Sequence, residues 1–261
     1  MPEMSLYQEY IAKSKYARYI DEKQRREHWP ETVHRYFQFM EEHLMEKHNY
    51  AIPSELGKEL YEAVLNLEVM PSMRLMMTAG EAVRRQNLGA YNCSAVAIED
   101  PKSFDELMYL LLCGVGVGFS VEKKFISKLP EVPDRLFQSE TVVVVRDSKE
   151  GWAKAIRQLI ALLYSGEIPK WEDSQVRPAG SRLKTFGGRA SGPQPLRDLY
   201  EFIINVFKGA VGRKLSSLEC HDVCCKIGQV VVVGGTRRAA EISLSDLNDS
   251  RLREAKQGNW W

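Results

Sequence analysis

The chain has no uninterrupted apolar run approaching the ~18 residues that a helical membrane span needs, and Met1–Tyr10 lacks the basic, apolar and small-residue order of a secretory signal. It therefore reads as cytoplasmic, with no membrane partner. An excess of one charge is also missing. Lys and Arg number 36 against 35 Asp and Glu, so there is no whole-molecule field to hold a nucleic acid polymer, although a small anion at a local site stays open. Cysteine is sparse: five residues, an odd number, at 93, 113, 220, 224 and 225. That is no disulfide framework for a chain this long, and reduced thiols are expected. Cys220 and Cys224 share a helix face, but a fourth ligand at standard spacing to Cys220, Cys224 and Cys225 is absent and His221 points elsewhere on a helix, so packing cysteines are expected there rather than a metal site. There is no internal repeat and no low-complexity segment.

What is present divides by texture. At 261 residues one large α/β unit is the default. Residues 1–70 carry apolar residues at helical spacing, as over Glu31–Lys47 and Ser54–Leu67, with Ser54 a candidate N-cap. They read as an N-terminal helical layer, and 71–261 as the main domain. Short apolar segments at Cys93–Ile98 and Val115–Val121 flank a helical stretch, Ser103–Cys113. Ser103 with Glu106 fits a capping box, and strand, helix, strand is the βαβ pattern of a parallel sheet. Val142–Val145 reads as a strand by propensity. Ser148–Tyr164 and Pro193–Phe207 read as helices with broad apolar stripes, separated by a loop-rich stretch, 165–192, that holds Pro169, Pro178, Gly180, Gly187, Gly188 and Gly192. Periodicity alone leaves Ile227–Val233 open between helix and strand. The terminal Trp260-Trp261 reads as a cut rather than an end.

Three places carry residue types suited to chemistry. Cys93 opens an apolar strand just after Arg84, Arg85 and Gln86; a small buried hydrophobe and a reactive thiol both fit it. Gly114-Val115-Gly116-Val117-Gly118 differs from a dinucleotide fingerprint because its glycines precede a strand instead of following one. Gly234-Gly235-Thr236-Arg237-Arg238 sets two guanidinium groups on a flexible loop, either a solvated basic turn or a paired donor for phosphate and base edges.

Taken together, the segments Tyr91–Ile98, Gly114–Val121, Asp147–Trp152, Val176–Pro178, the string KTFGGRASGPQPL at 184–196 and Val233–Leu244 closely resemble the adenosylcobalamin-dependent (class II) ribonucleoside-triphosphate reductases. The resemblance runs in family order from about residue 15 to 261. It implies an α/β fold, the first, five-stranded parallel half of a ten-stranded barrel with a helical preface. It also makes Ser217–Val233 a long helix, followed by a loop and a strand near Ala240–Leu244.

The implied activity is reduction of ribonucleotides, as triphosphates, to 2′-deoxyribonucleotides by a cobalamin-initiated thiyl radical, with two further thiols as reductant and a thioredoxin-like dithiol to reopen their disulfide. By position Cys93 resembles one of those two thiols. Thr78, fifteen residues earlier, resembles a hydroxyl residue that contacts substrate, and Gly114 and Gly116 would let substrate approach the backbone. Asp100 falls where the superfamily holds the ribose of a deoxynucleotide effector, although a turn residue before Pro101 fits equally. Gly234, Gly235, Thr236 and Arg238 resemble the loop between effector and substrate, with Arg237 on the substrate base.

Two departures qualify the match. Monomeric family members carry an insertion before the Glu-Gly-Trp motif, and here Pro133–Arg146 is the only stretch in its place; the apolar stripes of the two long helices would then pair with a second copy in a homodimer. The radical-bearing cysteine, the second reducing cysteine and the relay cysteines belong to a complementary C-terminal half, which also holds most of the cobalamin site. A same-superfamily reductase with another radical source and a non-catalytic nucleotide-binding fragment remain the alternatives.

Overall fold

The computed structural model describes residues 4–182, 189–233, 236–237 and 240–258, which group into two compact units, Met1–Asn92 and Cys93–Trp261. The first unit contains α1 (Leu6–Ile11), the antiparallel pair β1 (Tyr19–Ile20) and β2 (Arg25–Arg26), α2 (Trp29–His48), α3 (Ser54–Leu65), α4 (Met73–Thr78) and α5 (Glu81–Arg85). It takes in residues 71–92 as well as the helical layer expected over 1–70.

Helix α2 starts where Pro30 suits the first turn and the Glu31 carboxylate accepts the His28 N–H at 2.8 Å. It stops at Asn49, which adopts the left-handed conformation that caps helices. Its buried face carries Trp29, Val33 and Phe37, which pack with Val64 of α3 and Met76 of α4. Pro53 occupies the cap position of α3, so Ser54 is the first helical residue rather than the cap.

The second unit contains β3 (Cys93–Ala97), α6 (Ser103–Leu112), β4 (Gly116–Ser120), α7 (Lys123–Ile126), β5 (Phe137–Val144), α8 (Lys149–Tyr164), β6 (Glu167–Glu172), α9 (Gln194–Gly209) and α10 (Ser217–Val230). It continues through the short antiparallel pair β7 (Val232–Val233) and β8 (Thr236–Arg237), then β9 (Glu241–Leu244) and α11 (Ser250–Glu254). The βαβ unit of β3, α6 and β4 is parallel, and β9 adds in parallel on the far side of β4. Helix α10 followed by β9 agrees with the order expected for the last segment.

Two expectations change. In place of one five-stranded parallel half, the described residues form a three-stranded parallel sheet, β3-β4-β9, and a separate parallel pair, β5-β6. Strand β6 lies inside the stretch read as loop. Its pairing with β5 shifts register between Gln138 and Val142, opposite Pro169, which has no N–H to give a ladder. The capping box at Ser103 does not form either: Lys102 is the cap residue. The Ser103 hydroxyl instead donates to the Ala97 carbonyl at 2.9 Å and ties the start of α6 to the end of β3.

Helices α6, α8, α9 and α10 form one core with the sheets. Phe104, Leu107 and Leu111 of α6, Ile156, Leu159 and Leu163 of α8, Leu199, Ile203 and Phe207 of α9, and Val223 and Ile227 of α10 are all buried in it. Each such side chain contributes roughly 1.5–3 kcal/mol relative to exposure. The stripes of α8 and α9, read as a surface for a second copy, are therefore already spent on packing inside this unit.

Candidate functional site

Side chains alternate across a strand, and residues paired in register share a face. On one face of β3-β4-β9, Val117 and Phe119 are buried beneath the helices, and Ser243 meets α10 through a 2.9 Å contact between its Oγ and His221 Nδ1. The other face holds Cys93 beside Gly116, Ala95 beside Gly118 and Ile242, and Ala97 beside Ser120 and Leu244. Ile242 is 64% exposed and Leu244 50%. Parallel sheets are normally covered on both sides; among the described residues this side leaves Cys93 and Ala95 exposed and Gly116 and Gly118 half-buried, while Ser120 near its far end is buried.

Cys93 is an exposed free cysteine at the head of β3, not part of a strand buried on both sides. Gly114, next in chain order after the end of α6, has φ +80°, a left-handed turn that glycine adopts without strain. Cys93, Gly114 and Gly116 are thus gathered at one end of the sheet. Ala240 joins them there, since its carbonyl accepts the Val117 N–H at 2.9 Å.

Asp100 is not brought to this end. It lies beyond the other end of β3, and Cys93 to Ala97 alone spans about 13 Å at ~3.3 Å per residue. Its carboxylate accepts the Lys102 N–H at 2.8 Å within the turn before α6. Nearby, Asp105 is gripped by Arg157 of α8, with Nε 3.0 Å from both carboxylate oxygens; burial nevertheless holds Asp105 above the usual carboxylate range.

Thr78 belongs to the first unit, 2% exposed, and its hydroxyl donates to the Arg74 carbonyl of its own helix at 2.6 Å. Gly234, Gly235 and Arg238 lie outside the described residues. Thr236 and Arg237 are described as backbone, paired with Val233 and Val232.

The remaining cysteines face elsewhere. Cys113, Cys220 and Cys224 are buried, and burial pushes the Cys220 thiol up to about 12. Cys225 Sγ lies 3.5 Å from His221 Nε2; burial, then Glu241 and Asp222, push its thiol up to about 11. No group of three His, Cys, Asp or Glu side chains suited to a metal ion occurs among the described residues.

Ala95, Gly118 and Ile242 escaped the sequence reading of the site. Alternation along β3 puts Ala95 on the face of Cys93, and the register adds Gly118 and Ile242.

Residues 125–207 match the family model described as B12-dependent ribonucleotide reductase, insertion domain. That match covers β5, α8, β6 and most of α9. The buried stripes of α8 and α9 remove one of the two grounds on which a homodimer was expected.

The adenosylcobalamin-dependent ribonucleoside-triphosphate reductase of Lactobacillus helveticus is 28% identical over 312 residues, and that of Lactobacillus delbrueckii subsp. bulgaricus 30% identical over 311; each match takes 94% of this chain and 42% of the relative. A crystal structure of a B-12 dependent (class II) ribonucleotide reductase superposes with a TM-score of 0.81 at 26% identity, over 96% of this chain and 43% of that one. The chain spans about two-fifths of the length of the curated relatives it matches. Across nearly all of its own residues the chain is similar to adenosylcobalamin-dependent, class II ribonucleotide reductases, of whose length it spans a part.

Proposed function

We propose that this chain supplies the substrate- and effector-binding part of an enzyme that reduces ribonucleotides, as triphosphates, to 2′-deoxyribonucleotides, with Cys93 as one of two reducing thiols. The observation that carries the reading is the exposed Cys93 sulfhydryl in register with Gly116 on an open face of small residues. A ribose can lie against such a face, where the residues next to Cys93 in register and along its strand are Gly116 and Ala95. The sheet then forms the first part of the family's barrel, and the remainder of the polypeptide covers its bare side.

The net chemistry balances on thiols. The C2′–O bond breaks, the oxygen leaves as water, a hydrogen takes its place, and two sulfhydryls become one disulfide, giving two electrons and two protons. Cys93 is one sulfhydryl; its partner is expected on the complementary segment, because Cys113, Cys220 and Cys224 are buried and the neighbour of Cys225, His221, sits on the helix side of the sheet. A thioredoxin-like dithiol reopens the disulfide. Adenosylcobalamin supplies the initiating radical when bound. The open face offers the ribose side of that chemistry but no side chain to cradle a corrin, so the cofactor is assigned to the complementary segment.

Regulation is assigned by position: Asp100 to the ribose of a deoxynucleotide effector, and Gly234, Gly235, Thr236 and Arg238 to the loop that reports it, with Arg237 on the substrate base. Thr78 contacts substrate only by exchanging its hydroxyl bond to Arg74. A homodimer would need a surface other than the buried stripes of α8 and α9.

The test is reconstitution. The chain mixed with a separately expressed complementary segment, adenosylcobalamin and a dithiol should form deoxynucleotide, while Cys93→Ser should abolish multiple turnovers and the chain alone should be inactive. Undiminished dithiol-dependent turnover by Cys93→Ser would refute the assignment.

A further inference from the structure

The turn that brings Gly116 beside Cys93 is held from outside the sheet. Helix α6 ends in it: the Gly114 N–H donates to the Leu111 carbonyl at 2.8 Å and the Val115 N–H to that of Leu110 at 3.1 Å, with Gly114 in the left-handed conformation. Strand β4 begins two residues after Gly114, and its first residue, Gly116, stands in register with Cys93. The last turn of α6 therefore sets where the glycine backbone lies relative to the thiol.

Two consecutive residues at the start of α8 reach that last turn. Lys149 Nζ lies 3.7 Å from Cys113 Sγ, and the Tyr109 hydroxyl donates to Glu150 Oε1 at 3.4 Å. Tyr109 and Cys113, four residues apart, share one face of α6. Ser148 fixes the approach by capping α8, its Oγ accepting the Gly151 N–H at 2.9 Å. At the far end of the same helix pair Arg157 Nη2 stands 2.7 Å from Asp105. The two contacts are eight residues apart on each helix, about 12 Å along the axis, so these antiparallel helices are pinned twice.

The buried leucines between them attract without direction and fix no terminus. A cation does: Cys113 is 1% exposed and Lys149 half-buried, so the ammonium has exchanged part of its water for the thiol and the negative end of α6. Burial pushes the Cys113 thiol upward, and the charge of Lys149 works against it.

We infer that Lys149 is a positioning residue for the Cys93 site: its ammonium holds the last turn of α6 at Cys113 and so keeps the Gly114–Gly116 backbone in place beside the thiol. The consequence for substrate binding rests on the ribonucleotide reading; the contact does not.

The experiment compares the full chain with Lys149→Met, which keeps the apolar stem without the charge, and with Lys149→Arg. In Lys149→Met the Gly114 and Val115 amides should exchange roughly three- to tenfold faster, as for a cation removed from a partly buried helix terminus. The Cys93 ¹³Cβ resonance should move, the α9 amides should keep their wild-type rates, and Lys149→Arg should restore most of both changes. In the mixture with the complementary segment, adenosylcobalamin and a dithiol, KM for cytidine triphosphate should rise by a similar factor while kcat is largely kept. Should Lys149→Met fail to fold, Lys149→Gln takes its place with the same expectations. Wild-type exchange at the turn or an unmoved Cys93 resonance overturns the inference. Exchange raised equally in α9, or left unrescued by arginine, marks a general loss of structure and overturns it too. The local changes with an unchanged KM, in a mixture that turns over, overturn it and leave the ribonucleotide reading standing. The local changes, rescued by arginine, with no turnover even by the unmodified chain, support the positioning role and count against the ribonucleotide reading.

Discussion

Replacing Glu27 by Gln tests whether a buried ionic network holds the first unit together. Glu27 accepts Arg35 Nε at 2.8 Å and Nη2 at 3.0 Å, and Arg35 and Arg18 hold the carbonyls of residues 76 to 79. The pair is well desolvated, with side-chain exposures of 16% for Arg35 and 8% for Glu27. Glutamine keeps the shape and one acceptor oxygen but leaves two guanidinium groups without a counter-charge. Breaking a buried pair from one side costs about 3–5 kcal/mol. A unit of this size has roughly 5–14 kcal/mol in total, so the loss should appear as a fall of on the order of 10 °C or more in its unfolding midpoint. Hydrogen exchange resolves the two units: amides of α2 and α4 should lose protection, while those of α8 and α9 should not. A loss below about 1 kcal/mol would refute the claim that the charge, rather than the shape, of Glu27 matters.

The pH dependence follows with a definite sign. Burial pushes the Glu27 carboxyl upward, but the hydrogen bonds and charge of Arg35 outweigh it, and the net shift is downward. A depressed carboxylate contributes stability that is fully present above its unfolded value of about 4.3 and is lost as pH falls through the folded value. The gap between wild type and Glu27→Gln should therefore be constant near neutrality and close only in acid.

The elements set by strong local signals were legible in the sequence. Cys93–Ala97, Ser103–Leu112 and Gly116–Ser120 were readable because an apolar strand, a helix and a second apolar strand follow one another without interruption. Strand β6 was not, because Pro169 and the surrounding glycines carry a loop signature, while a two-stranded pair tolerates proline where no ladder N–H is needed. Ser103 looked like a cap because its hydroxyl is rightly placed for one; a tertiary acceptor, the Ala97 carbonyl, claimed it instead. The apolar stripes of α8 and α9 were visible, but what they would meet was not, since periodicity names a buried face without naming its partner. Cys93 was found through family resemblance; Ala95 shares its face by alternation along β3, and Gly118 and Ile242 emerge only through strand register. Arg18 and Arg35 left no sequence signal, because the carbonyls of 76 to 79 that they hold lie 41 to 60 residues further along the chain.

The open sheet face and its flanks give three further tests. At Gly151 an added Cβ would stand 2.4 Å from the Arg146 carbonyl oxygen, so Gly151→Ala should destabilise by about 1–3 kcal/mol although alanine favours a helix by ~1 kcal/mol; an equal or higher melting temperature would contradict this. Of five thiols only Cys93 should react quickly with an aromatic disulfide in the native chain near neutral pH, and Cys225, exposed but held up to about 11, should join it only as pH rises well above 8; rapid labelling of Cys220 would count against the packing. Gly116→Val probes the bare face itself. Gly116 lies in β4 opposite Cys93, on a strand ~4.8 Å away, so a side chain there would stand on the same face as the thiol. Alkylation of Cys93 by a bulky maleimide should then slow relative to iodoacetamide. If both reagents keep their wild-type rates, the two residues do not share an open face, and the glycine does not keep the approach to the thiol clear.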